Sequence, residues 1–228
     1  ATDAALHDDL SDCLSCAAGT EYVSASSDCA ACANGKYQEQ SGVASVACKT
    51  CGAGQIAANG SMACTECAIG MYQGEVVATS YLCTICPQGR IASLKGLALC
   101  SECSEGTKEV DRNRCESCGL GMFQESSGTN LCDDCPAGWR ASLPGRTECT
   151  ACIKGMMEIE LTRCDVCPRG FFQNHPGKSE CKKCPLGWHN IEGTEDASDH
   201  ENCLGCERGL YSDVEGLTEE CKYCASGR

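Results

Sequence analysis

Large core-forming side chains are scarce in this chain, with three Phe, two Trp and six Tyr among 228 residues. That shortage excludes a conventional apolar core of domain size, because buried aromatic and branched area is what holds such a core together. Long apolar runs are also missing. Nothing approaches the roughly 20 consecutive apolar residues that cross a bilayer, so no membrane span is expected in this segment. Positive charge is in short supply as well, with 18 Lys and Arg against 32 Asp and Glu for a net charge of −14. No Lys/Arg cluster interleaved with aromatics is available to follow a phosphate backbone, which excludes nucleic acid as the expected partner. No GxSxG, HExxH or phosphate-cradling loop is present, and no cofactor is implied. The four histidines, His7, His175, His189 and His200, stand in unrelated contexts and read as scattered, solvent-exposed residues rather than catalytic groups. The chain starts at Ala1 without a signal-peptide pattern, and "CKYCASGR" at its far end opens another unit. Both features suggest a piece of a longer parent protein.

What the chain has instead is cysteine. Its 26 cysteines exceed a tenth of the residues, the composition of an extracellular scaffold in which covalent links replace apolar burial. Every cysteine belongs to a CxxC pair. The thirteen pairs, from Cys13/Cys16 to Cys221/Cys224, are separated by 11 to 18 residues, so the chain is a linear array with a period far below domain size. Residues 1–12 read as an acidic linker, 13–224 as tandem repeats, and 225–228 as the start of a further one. The third residue after each second cysteine is glycine without exception, from Gly19 to Gly227, which calls for a tight turn or a close backbone approach at that point.

The intervals sort into three kinds. One carries an aromatic five residues after the cysteine, at Tyr37, Tyr72, Phe123, Phe172 and Tyr211, usually followed by Gln. A second has Ile or Trp just after the turn glycine, as in "GQIA", "GRIA", "GWRAS" and "GWHN". The third is short, as in "CSEGTKEVDRNRC" and "CIKGMMEIELTRC". Together they form a triplet of about 49 residues whose short member is sometimes missing; Cys118 to Cys167 and Cys135 to Cys184 show that offset directly. Each aromatic ring is expected to pack on its neighbouring disulfide and serve as the small core of its own interval.

Two connectivities suit paired cysteines, a crossed scheme and a ladder in which the second cysteine of one pair bonds the first of the next. Crossed pairing has a period of two, so a dropped interval would shift every later bond, and thirteen pairs is an odd number. The ladder is therefore favoured. It joins Cys16 to Cys29, Cys32 to Cys48, Cys51 to Cys64, Cys67 to Cys83, Cys86 to Cys100 and Cys103 to Cys115. It continues with Cys118 to Cys132, Cys135 to Cys149, Cys152 to Cys164, Cys167 to Cys181, Cys184 to Cys203 and Cys206 to Cys221, leaving Cys13 and Cys224 for partners elsewhere. The expected fold class is small and disulfide-rich, a linear array of short β-hairpin modules with little helix. At two strand spacings per hairpin it would form an elongated rod on the order of 120 Å.

The run "CSEGTKEVDRNRCESCGLGMFQESSGTNLCDDCPAGWRASLPGRTECTAC" resembles the cysteine-rich region of ephrin receptors. More broadly it is similar to the ephrin-receptor-like and growth-factor-receptor-like repeats, with EGF- and TNF-receptor-like modules, found in surface proteins of protists and algae. The resemblance extends over nearly the whole chain after Cys13. It implies hairpins closed by one bond between successive cysteines, in agreement with the ladder, and modules used as spacers, stalks and protein-binding surfaces.

Chemical alternatives fit the sequence less well. C-x2-C-x12-C-x2-C at Cys13 to Cys32 is a good four-thiolate zinc spacing, but an odd number of pairs in one continuous array does not partition into zinc sites. Thiol-disulfide catalysis needs one activated pair beside a packed fold, not thirteen similar ones. Glu192, Glu195, Asp196, Asp199 and Glu201 crowd one interval, yet lack the spacing and glycine of an EF-hand loop and read as a solvated acidic insertion. Asn59-Gly60-Ser61 is a glycosylation sequon. The sequence thus points to a non-enzymatic, secreted or cell-surface structural protein, a semi-rigid segment of a fibre, appendage or matrix assembly. The alternative is a receptor or adhesin ectodomain binding a protein ligand. The expected partners are other protein subunits or such a ligand, with a glycan at Asn59.

Overall fold

The computed structural model describes residues 15–24, 27–75, 82–190 and 195–225. Almost every strand is two residues long and pairs in an antiparallel hairpin, and the described helix is a single 3-10 turn, Ala197–His200. Twelve disulfides close twelve successive loops, here called rungs 1 to 12, from Cys16–Cys29 to Cys206–Cys221. Strands this short cannot hold themselves together in water, so each hairpin depends on its clamp. The chain divides into two compact units, Ala1–Cys103 with Glu109–Cys115, and Ser104–Lys108 with Glu116–Arg228. Rungs 1 to 5 lie in the first and rungs 7 to 12 in the second.

Within both units one hydrogen-bond pattern repeats. Inside a rung, the N–H of the closing CxxC's second cysteine donates to the carbonyl of the rung's turn glycine, as in Cys32 to Gly19 and Cys152 to Gly138, both at 2.9 Å. That glycine's own N–H donates to the next rung: Gly19 to Gln38 and Gly35 to Ala57 in the first unit, Gly121 to Ala141 and Gly155 to Gln173 in the second. A loop glycine of the next rung then donates back to the carbonyl of the buried cysteine that opens the previous one, as in Gly60 to Cys32 and Gly177 to Cys152. The backbone groups that two-residue strands leave over are thereby satisfied between rungs.

The turn glycines have two reasons to be glycine. Gly138 holds φ at +87°, where a side chain is strained, and a Cβ built on it would stand 2.2 Å from the carbonyl oxygen of Gly177, two rungs along. Gly54 in the first unit repeats the arrangement, its Cβ position 1.9 Å from the oxygen of Gly96.

The core does not consist of aromatic rings. The five rings at Tyr37, Tyr72, Phe123, Phe172 and Tyr211 are half-buried or exposed, with Tyr211 42% exposed, which corrects the expectation that each would be the core of its rung. Most buried positions are opening half-cystines or the residue six places after them. That residue is Gln38, Gln73, Gln124 or Gln173 after an aromatic, and Ala57, Ala92 or Ala141 in the second kind of rung. The ring ends its two-residue strand, as in Met122–Phe123, and the next residue along the extended chain alternates to the opposite side, pointing inward where the ring does not.

Short rungs 6 and 9 use glutamate at this sixth position, Glu109 and Glu158. Glu158 accepts from the N–H of Leu161 at 2.5 Å with one carboxylate oxygen and from the N–H of Gly138 at 3.5 Å with the other; Glu109 does the same for Arg112 and Gly89. The carboxylate thus replaces the backbone carbonyl that receives the turn glycine elsewhere. It also pins a hairpin turn whose two central residues both have positive φ, Glu160 at 53° and Leu161 at 59°. Glycine or asparagine normally occupies such positions. Replacing exposed Glu160 by glycine removes a left-handed penalty of about 1–2 kcal/mol against an added unfolded-chain entropy of about 0.5–1 kcal/mol. A modest rise in urea midpoint, with the disulfides intact, is the expected result.

Candidate functional site

No enclosed cavity lined by converging polar groups is evident among the described residues, and none of the His, Cys, Asp and Glu side chains there gather in a group of three able to hold a metal. The chemistry of this chain lies on the outer face of its hairpins. In each aromatic rung the ring faces the residue just after the closing cysteine: Tyr37 opposite Lys49, Tyr72 opposite Thr84, Phe123 opposite Asp133, Phe172 opposite Lys182 and Tyr211 opposite Lys222. Lys49 reaches across Tyr37, its ammonium 5.9 Å from the ring centre, to pair with Glu39. Lys222 pairs with Asp213 at 2.7 Å. The hydrogen bond from Lys49 lowers the pKa of Glu39, and that from Lys222 lowers the pKa of Asp213, while each lysine is raised in return. Both pairs are solvent-exposed, where such contacts add little stability.

A second surface feature recurs at the 49-residue offset. Phe123, Pro136, Trp139, Glu148 and Cys149 line a shallow, largely apolar cleft of about 230 Å³; Phe172, Pro185, Trp188, Asn202 and Cys203 line its counterpart of about 360 Å³. One wall comes from an aromatic rung and the other from the following rung, with a half-cystine between. Trp139 and Trp188 remain 40% and 46% exposed. In rungs 3 and 5 the corresponding residues are Gln55 and Arg90, with Ile56 and Ile91 one place further on. The sequence marked these tryptophans only as a variant of the second interval; their convergence with Phe and Pro needs the rung-to-rung register.

The candidate residues named from sequence fall as follows. The cysteines from Cys16 to Cys221 form the twelve bonds, with Cα separations of 5.5 to 5.9 Å; Cys224 is free and exposed, and Cys13 lies outside the described residues. Asn59 is exposed in a turn closed by a hydrogen bond from Ser61 N–H to the Ala58 carbonyl. His175 is exposed and His7 lies outside the described residues, but His200 is 1% exposed, which corrects the reading of all four histidines as solvated. Its Nδ1 lies 3.3 Å from the amide nitrogen of buried Asn190. Of the acidic insertion, Glu192 lies outside the described residues, and Asp196 caps the 3-10 turn by accepting from the N–H and hydroxyl of Ser198. Those two hydrogen bonds, the backbone one first, lower the Asp196 pKa.

Residues 156–199 match the family model described as tyrosine-protein kinase ephrin type A/B receptor-like. This segment is similar to the ephrin-receptor-like cysteine-rich domain. It takes in the Lys182 hairpin and the cleft residues Phe172, Pro185 and Trp188. Rungs before and after it repeat the same clamp, turn glycine and inter-rung hydrogen bonds, which makes the chain a cysteine-rich repeat protein. No curated protein matches the chain. No helix among the described residues is long and apolar enough to cross a membrane.

Proposed function

We propose that this chain is a non-enzymatic extracellular structural segment, a semi-rigid disulfide-ladder rod within a cell-surface fibre, appendage or matrix assembly. The observation that carries this reading is the coupling, repeated within each of the two units, of one rung to the next through fixed backbone hydrogen bonds, with a turn glycine abutting the rung after that. Stiffness follows from such coupling, since a rung cannot rotate without breaking bonds on both sides. The ephrin-receptor-like match and the density of disulfides support an oxidising, extracellular location. Electron microscopy of the purified native assembly tests the reading: uniform filaments that bind an antibody to this chain are expected, and its absence from any such structure would reject it.

The second reading, a receptor or adhesin ectodomain, is favoured by the exposed Phe–Pro–Trp clefts, because aromatic anchors beside a polar rim are what protein ligands use. Saturable one-to-one binding of a protein ligand, lost on Trp188→Ala, would favour it.

The sequential pairing of twelve disulfides is part of the proposal. Intact mass under denaturing, metal-free conditions should rise by about two units per bond on reduction, near 24 in all; unchanged mass with zinc released would instead indicate an intracellular thiolate array. A glycan on Asn59 is expected as a mass shift of the peptide spanning the sequon, removed by an N-glycosidase.

A further inference from the structure

Rungs 7 and 10 are equivalent members of successive triplets. Their strands pair in the same register, Met122 with Asp134 and Phe123 with Asp133 in one, Phe171 with Lys183 and Phe172 with Lys182 in the other. Each leads into a Phe–Pro–Trp cleft. What differs is charge. Rung 7, Cys118 to Cys135, carries Glu125, Asp133 and Asp134 and no basic residue; rung 10, Cys167 to Cys184, carries Arg169, Lys178, Lys182 and Lys183 against Glu180 alone.

In rungs 2 and 12 the same positions neutralise themselves, through Lys49 with Glu39 and Lys222 with Asp213. Rung 7 instead sets Asp133 on the strand opposite Phe123, with Glu125 two residues beyond the ring. In rung 10 the place of the carboxylate is taken by Asn174, which receives the Lys182 ammonium at 3.3 Å. All four strand-end charges, Asp133, Asp134, Lys182 and Lys183, are exposed, and none makes an ion pair among the described residues. Within one chain the backbone hydrogen bonds between rungs reach one rung along and the turn-glycine contacts two, so rungs 7 and 10 do not serve each other.

We infer that rung 10 of one copy docks on rung 7 of a second copy, Lys182 and Lys183 against Asp133 and Asp134, with the neighbouring Phe–Pro–Trp clefts forming the apolar part of the contact. Rung 10, at +3 the most basic rung of an acidic chain, finds a complement of opposite sign on its own equivalent rung, which carries −3. The aromatic clefts supply desolvated anchors beside those charges, the arrangement that protein interfaces use. Parallel copies shifted by one 49-residue triplet form the contact once per neighbour and propagate; an antiparallel pair forms it twice and closes. The inference deepens the assembly reading by naming its contact, and the two can fail separately.

Analytical ultracentrifugation of the oxidised chain, at rising concentration in 20 mM and 500 mM NaCl, is the test. Association that weakens about tenfold or more in the higher salt is expected, as the screening length contracts to a few ångströms. Two variants give the decisive arms: Asp133→Lys with Asp134→Lys, and Lys182→Asp with Lys183→Asp. Neither should self-associate, and an equimolar mixture of the two should, because the mixture restores one acidic and one basic rung. Intact mass before and after reduction confirms that both variants keep twelve bonds. A dimeric end point would support this contact while removing the fibre reading; open growth would support both. A wild-type chain monomeric at low salt, variants that associate like wild type, or a mixture that stays monomeric would each overturn the inference. A basic rung that binds dextran sulfate while the chain never self-associates would overturn it in favour of a polyanion site.

Discussion

Gly138→Ala should destabilise the second unit by about 3 kcal/mol or more, whereas Gly187→Ala, at the same place in its own rung, should cost only about 1–2 kcal/mol. Both glycines have positive φ, +87° and +76°, so both substitutions incur the left-handed penalty of about 1–2 kcal/mol. They differ in what the new methyl meets. At Gly138 it lands 2.2 Å from the oxygen and 2.3 Å from the carbonyl carbon of Gly177, and 2.7 Å from the nitrogen of Lys178. These are backbone atoms held by the Gly177-to-Cys152 hydrogen bond, so they cannot turn aside as a side chain would. Overpacking of this kind adds about 1–3 kcal/mol. At Gly187 nothing described lies within 4 Å. Urea unfolding with intact disulfides measures the difference. Amide exchange should show the Gly138→Ala damage concentrated in rungs 8 to 10, because a quasi-one-dimensional array transmits strain only to its neighbours. Equal costs at the two sites would mean that φ alone accounts for the invariant glycine.

The contrast also shows where sequence reasoning stopped. Thirteen glycines at one offset announced a backbone requirement, and the CxxC spacing announced hairpins, because covalent and conformational constraints leave fixed marks in a sequence. The partner atom two rungs away leaves none: Gly177 is 39 positions from Gly138 and carries no complementary residue type. Core identity was hidden for another reason. Hydrophobic periodicity needs a run of alternating residues, and a two-residue strand offers one inward and one outward position. The aromatic at the fifth position therefore carries the expectation of a core, whereas the buried residue is the polar Gln124 or Gln173 beside it. His200 escaped in the same way, because a buried, hydrogen-bonded polar residue in a loop has no sequence signature. The charge reversal between rungs 7 and 10 was present in plain sight, but its meaning depends on the common register of Phe123 with Asp133 and Phe172 with Lys182.

Gln124→Leu should cost about 2 kcal/mol, although leucine is similar in size and more apolar than the residue it replaces. Gln124 is 6% exposed and braces its loop from inside, its amide nitrogen donating to the Leu131 carbonyl at 2.9 Å and its amide oxygen accepting from Ser126 N–H at 3.0 Å. Gln173 repeats the bracing, with Glu180 and His175 as partners at 2.7 and 3.2 Å, so rungs 7 and 10 share the device. Leucine satisfies neither backbone group, and each group left unpaired costs about 1–3 kcal/mol, less where water can reach it. Gln124→Glu separates the two roles. An ionised carboxylate keeps the acceptor for Ser126 but turns a second lone pair toward the Leu131 carbonyl, so the variant is weaker than wild type at pH 7. Protonation restores an O–H donor to that carbonyl, which places the folded-state pKa of the new carboxyl above its unfolded value. Relative to wild type, the Glu variant should therefore gain stability as pH falls through that folded pKa, while the Leu variant shows no such trend. Urea midpoints of the three proteins at pH 7 and pH 4.5 decide it: parallel losses for Glu and Leu at both values would show that the position needs only bulk, and a Glu-specific recovery in acid would show that the rung is held closed by its amide donor.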